Sequence, residues 1–188
     1  MRTATLCLSR SARRRRGRLG TSNPLSPNEL PWIAQARKHI GLREVPGPKT
    51  NGVIAGWLTR LKAWWSDDAT PWCGTFAAMC VADAGLTPPK EWYRATAWLT
   101  LPVSLSRPAY GCVVVFTRQG GGHVGFVVGK DKTGNLMVLG GNQGDAVCIR
   151  PFAVSRVAGY RWPSAYPSAS RFVLPLLDSD GRVSEDEA

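Results

Sequence analysis

Along the chain, apolar positions first recur at helical spacing and then, from about residue 108, run in short unbroken blocks. Ile33, Ala36, His39 and Ile40 make one apolar side of a helix predicted from Pro31, at its first position, to Ile40, with Gly41 as its stop. Ser26 to Glu29 has capping-box spacing, but Pro31 conflicts with a helix running through it. Ile54, Trp57, Leu58 and Leu61 fall at i, i+3, i+4 and i+7 and predict a second helix over 52–65, ended by Ser66, Asp67 and Asp68. Thr70 before Pro71 reads as an N-cap and a first helical residue, so a third helix is expected from Pro71 to Ala84, closed by Gly85. Residues 91–99 are expected to form a short fourth helix.

The later blocks predict strands at 111–116, 123–128, 135–139, 147–151 and 159–162, with a tight turn at 131–134. Helices first and an antiparallel sheet afterwards give an α+β domain rather than alternating βαβ units. The predicted organisation is a basic extension over 1–25, one domain over 26–165, and a flexible acidic tail over 166–188.

Composition narrows the functional classes. The chain has 188 residues, 44% of them hydrophobic and 20% charged, which is globular and sufficient for one packed core. No run approaches the ~18–20 apolar residues of a membrane helix. The net charge is +11, but seven arginines sit in residues 1–20 and five acids in residues 178–188. The body between them stays basic and suits a polyanion: nucleic acid, an anionic membrane surface or an acidic wall polymer. The basic start lacks the apolar stretch of a secretory signal, so synthesis in the cytoplasm without such a signal is expected. Five cysteines with no CxxC and only two histidines argue against a zinc site and leave at least one thiol free. A reducing site of synthesis is the simplest reading of that odd count.

Three residues are candidates for chemistry. Cys73 is predicted in the first turn of the third helix, where the helix dipole and unbonded amides favour a thiolate. A partly exposed thiol there is a candidate nucleophile, with the amides available to an oxyanion. Cys80, Cys112 and Cys148 lie inside apolar patterns and read as core. His123 opens an apolar strand after three glycines and is the candidate base, whereas His39, in the last turn of a helix, reads as structural. Asn142 closes the next strand, so antiparallel pairing brings it near His123, where an amide oxygen can orient the imidazole. Gly120, Gly122 and Gly125 match the spacing of a dinucleotide fingerprint, but the residues that follow read as strand, and the match is rejected.

These blocks resemble a known group. Residues 32–163 are similar to the NlpC/P60 and CHAP superfamily of papain-like cysteine hydrolases, and within it to a phage and prophage NlpC/P60-like subfamily. The resemblance rests on Pro31-Trp32, on Gly41, Glu44 and Gly47, and on Asp68 with Pro71, Trp72 and Cys73. It continues through residues 111–116, through Gly122, His123, Val124 and Gly125, through Gly140, Gly141, Asn142 and Gln143, and through residues 159–163. It implies a papain-like fold and hydrolysis of peptidoglycan, as an N-acetylmuramoyl-L-alanine amidase or a peptide endopeptidase. Its nucleophile maps onto Cys73, its base onto His123 and its third polar residue onto Asn142. Many CHAP enzymes carry a glutamate two residues before that asparagine; here the position is Gly140. Trp72, beside the nucleophile, fits a cleft wall or a core position equally.

The expectation is a monomeric thiol hydrolase of the bacterial wall, needing no metal or cofactor and binding no specific nucleic acid. Its expected setting is a phage or prophage lysin, reaching the periplasm or wall by a holin, a virion or a secretion system. A secreted antibacterial effector of the same chemistry is the nearest rival. A non-catalytic wall-binding or virion module on the same scaffold is another, and a nucleic-acid binder using the arginine-rich arm is a third.

Overall fold

The computed structural model describes residues 29–118 and 121–184. The predicted extension over 1–25 and residues 26–28 of the capping-box spacing lie outside the described residues. The fold is α+β, as expected from the order of the patterns. Three helices, α1 (Pro31–Lys38), α2 (Gly52–Arg60) and α3 (Cys73–Asp83), and a 3-10 helix over Ala95–Thr100 precede the sheet. Its strands are β1 (Val103–Leu105), β2 (Val113–Arg118), β3 (Gly121–Lys130), β4 (Leu136–Gly140), β5 (Cys148–Phe152) and β6 (Val157–Trp162). They form one sheet in the order β1-β6-β2-β3-β4-β5, with every neighbouring pair antiparallel. A few helices on a six-stranded antiparallel sheet are compatible with a papain-like domain.

Element ends differ from the sequence reading for identifiable reasons. The second helix stops at Arg60 rather than near residue 65, because Lys62 turns left-handed at φ 56°. Its amide then bonds Thr59 O at 3.1 Å and that of Ala63 bonds Leu58 O at 2.9 Å, a Schellman ending. The third helix begins two residues later than predicted. Thr70 does not cap it: its amide and hydroxyl bond Asp67 Oδ1 at 2.9 and 3.0 Å. Trp72 takes the N-cap position, so Cys73 is the first helical residue. The fourth helix is the 3-10 helix over Ala95–Thr100, and the three-residue edge strand β1 had no prediction.

Burial centres on α3, in which every residue from Cys73 to Val81 is buried. It packs between α1 and α2 on one side and β3 on the other. Trp72, Phe76, Trp98, Phe116 and Phe126 have no exposed surface. Burying aromatic and aliphatic side chains of this size contributes about 1.5–3 kcal/mol each. Trp72 is therefore core: its ring lies 6.5 Å from that of Trp57, and its indole N–H donates to Glu44 Oε2 at 3.2 Å.

Beyond β6, residues 166–184 of the segment expected as a flexible tail run back along the sheet. Leu177 N–H donates to Lys130 O at 2.9 Å, and Lys130 N–H to Pro175 O at 3.0 Å. Farther on, Ser184 N–H donates to Pro151 O at 2.8 Å and Arg156 Nη1 to Ser184 O at 2.7 Å.

Asp131 ties this strap to the β3–β4 turn, accepting bonds from Thr133, Asn135 and Ser179. Burial alone would raise its carboxyl, but those bonds outweigh it and hold the group at about 2. A folded-state pKa below the unfolded value gives stability that is present above about pH 4 and lost as pH falls through about 2. Thermal melts should therefore show wild type losing more of its midpoint than Asp131→Asn on acidification through that window. Asp131→Asn should already be less stable at neutral pH. Equal acid dependence of the two proteins would contradict this role.

Candidate active site

The site is assembled where the start of α3 meets the start of β3. Only the first turn of a helix presents unbonded backbone amides. The first bond within α3 is from Phe76 N–H to Trp72 O, at 2.9 Å, which leaves the amides of Cys73 and Gly74 outside that ladder. The Val124 and Gly74 backbone amides favour the anionic form of Cys73, and α3 packs on β3, the strand that carries His123 and Val124. The thiol is buried, with Cys73 only 4% exposed. Cys80 and Cys112 are also free and buried.

Burial reverses the expectation for this thiol. It was expected to be partly exposed, with its pKa lowered by the helix start. Desolvation instead pushes Cys73 up from the ordinary thiol range. The Val124 and Gly74 amides and the Arg118 guanidinium pull in the other direction without overcoming it. Burial thus favours the neutral thiol over the thiolate.

His123 is completely buried. Its imidazole stacks on Phe152 with centroids 5.3 Å apart and planes within 5°, and Phe152 stacks in turn on Phe116 at 4.6 Å. His123 Nε2 lies 3.1 Å from Gln143 Oε1. At its other end the same amide donates from Nε2 to Cys148 O at 2.7 Å and to Val138 O at 3.3 Å. Carbonyls only accept, so the NH2 end must face them and the oxygen must face His123. The imidazole therefore carries its proton on Nε2, and Nδ1 is its basic nitrogen.

The residue shown bonding His123 is thus Gln143, one position beyond Asn142, the orienting residue expected from the sequence. Asn142 is 2% exposed and adopts the left-handed region at φ 56°, a conformation asparagine tolerates. That turn sends the chain back so that Gln143 reaches into the sheet. Gly140 makes room for the amide: a Cβ there would lie 2.6 Å from Gln143 Oε1 and 3.0 Å from His123 Nε2. Gly141 likewise admits the Trp72 ring and Phe76, which a Cβ would approach to 2.7 and 2.6 Å. The sequence holds one signal for Gln143, a long amide directly after two glycines at a strand end. His39, by contrast, packs edge-on to Trp57 at 4.9 Å, and burial lowers its pKa. No group of three potential metal-binding side chains occurs among the described residues.

Gly140→Ala should force the Gln143 amide off His123. Overpacking of this kind costs about 1–3 kcal/mol. Denaturant unfolding should show that loss, and the imidazole NMR signals of His123 should move. A variant with unchanged stability and unchanged imidazole signals would show that the amide is not tightly held.

Comparison with known proteins gives one family match: residues 65–142 match the model of the CHAP domain. The matched span contains Cys73, His123 and Asn142 and ends one residue before Gln143. No curated protein matches the chain.

Proposed function

We propose that this chain is a thiol-dependent peptidoglycan hydrolase, because residues 65–142 match the model of the CHAP domain, which in general implies peptidoglycan hydrolysis as amidase or endopeptidase. The observation that carries the reading is the packing of the helix that starts at Cys73 against the strand that carries His123, whose Nε2 lies 3.1 Å from Gln143 Oε1. In this reading Cys73 is the nucleophile, His123 the base and Gln143 the group that orients the base. Asn142 shapes the turn that delivers Gln143.

His123 Nδ1 takes the Cys73 proton as the sulfur attacks the amide carbonyl of the wall polymer. The amides of Cys73 and Gly74 stabilise the oxyanion, since they need no reorganisation when charge develops. The imidazolium, supported through Nε2–H by Gln143, then protonates the leaving amine. The thioester that remains is hydrolysed by a water deprotonated at the same nitrogen, which restores the thiol. The raised pKa of Cys73 fits proton transfer coupled to attack better than a standing thiolate. The setting that suits a chain of this kind is a phage or prophage lysin acting as a monomer, brought to the wall by a holin, a virion or a secretion system.

Digestion of purified sacculi tests the reading. Wild type should release new free amino groups, and Cys73→Ala should lose the activity by at least about a thousandfold. His123→Ala should lose as much, and the double variant no more, because the two act as a unit. Gln143→Ala should lose about a hundredfold, chiefly in kcat. Release retained by Cys73→Ala, or no release by wild type on several wall chemistries under reducing conditions, would contradict the assignment.

A further inference from the structure

Four aromatic side chains cluster beside the start of α3, with Trp64 at the surface. Trp64 and Trp65 come from the segment between α2 and α3, and Trp92 and Tyr93 from the segment before the 3-10 helix. Ring centroids are 4.6 Å apart for Trp64–Trp65, 4.7 Å for Trp64–Tyr93 and 5.6 Å for Trp65–Trp92. Core formation accounts for Trp92, which is 9% exposed, but not for Trp64, which is 74% exposed. A cluster of rings carrying an exposed tryptophan at its outer edge marks a contact surface.

The cluster adjoins the catalytic pair through the backbone. A Cβ on Gly74, the residue after Cys73, would lie 2.3 Å from Trp92 O and 3.0 Å from Tyr93 Cα. A Cβ on Gly122, the residue before His123, would lie 3.3 Å from Ala95 Cβ. Residues 92–95 are therefore pressed against the neighbours of both Cys73 and His123, which sets the aromatic cluster beside the site.

The chemistry of the cluster selects an occupant. Its faces are apolar, yet its edges carry indole N–H groups and the Tyr93 hydroxyl. The Trp65 indole N–H is buried and has no acceptor among the described residues, a costly state that a hydroxyl or amide of a ligand would relieve. Charges around it are of both signs: Arg94 lies over the Tyr93 ring at 5.9 Å and pairs with Glu91 at 3.9 Å, while Lys62 and Asp67 are exposed nearby in the chain. A nucleic-acid platform would need a one-signed basic field. A pyranose offers what this surface complements, an apolar C–H face bounded by hydroxyl and acetamido groups.

We propose that Trp64, Trp65 and Tyr93 form a subsite for an N-acetylated hexosamine ring of the glycan strand. The proposal rests on the peptidoglycan reading and narrows it. A sugar held on this segment, whose backbone packs on the residue after the nucleophile, places the reacting carbonyl close to the glycan. The bond in reach is then the amide joining the stem peptide to the lactyl group of the sugar, rather than a crosslink farther along the peptide.

The test uses the full chain with chitotetraose, an N-acetylglucosamine oligomer, as probe. Titration should shift the Trp64 indole NMR signal saturably in wild type. Trp64→Ala should abolish binding, and Trp64→Phe should restore part of it. On soluble glycan-bearing muropeptides, Trp64→Ala should raise KM about tenfold more than it lowers kcat. Products should be intact stem peptides with new alanine amino termini. The subsite is overturned if wild type digests sacculi while the oligomer shifts no indole, or while Trp64→Ala leaves KM unchanged. It is also overturned if Trp64 mediates self-association of this chain instead. Saturable, Trp64-dependent oligomer binding by a protein that cleaves no wall would uphold the subsite and defeat the hydrolase reading, so the two failures are distinguishable.

Discussion

The Gln143 side chain is bonded at both ends, and the ends are not interchangeable. Its NH2 group meets the carbonyls of Val138 on β4 and Cys148 on β5, and its oxygen meets His123 on β3. One amide thus links three consecutive strands and sets the protonation pattern of the imidazole. A buried side chain in such a network is valuable only when all of its polar atoms are used, because unmet partners in a low-dielectric interior are costly. The glycine at 140 follows from this: the amide fills the space where a side chain would begin. The stacking of His123 on Phe152, and of Phe152 on Phe116, fixes the ring plane that the amide fixes in rotation.

The proposed nucleophile is governed by the opposite balance. Cys73 sits where helix geometry favours an anion, yet its burial keeps the thiol neutral at rest. These effects belong to different steps. The amides around the sulfur are worth most when negative charge appears on it or on the carbonyl oxygen beside it, in a site from which water is already excluded. In the proposed mechanism the buried thiol is protected from casual oxidation until a substrate carbonyl arrives. In the proposed subsite the neighbouring aromatic cluster would add positioning, offering the sugar side of the substrate a rigid face.

Much of this architecture is legible in the residues. Pro31 marks the start of α1, Gly85 the end of α3, and the apolar blocks from residue 111 onward the strands of the sheet. Cys73 at a helix start and His123 at a strand start follow from local patterns, and the structure places them at one junction. What was not legible depends on contacts between distant parts of the chain. Thr70 has the right chemistry for a cap but is taken by Asp67, which moves the start of α3 to Cys73. The end of α2 turns on one left-handed residue, Lys62, which no periodicity announces. Gln143 reaches His123 only because Asn142 turns left-handed after two glycines. Strand pairing read from the sequence brings 142 and 123 together but does not single out the Gln143 amide, whose oxygen lies 3.1 Å from His123 Nε2. A helix start alone implies a partly exposed thiol, whereas β3 packs on this one and Cys73 is buried.

The central claim is that a doubly anchored Gln143 holds His123 in the tautomer that leaves Nδ1 as the base for Cys73. The most direct measurement is a two-bond 1H–15N correlation spectrum of the His123 imidazole in wild type and Gln143→Ala near neutral pH. The account predicts a wild-type ring protonated at Nε2 alone, with that preference lost in Gln143→Ala. A ring protonated at Nδ1, or an Nε2–H tautomer that persists unchanged without Gln143, would contradict it.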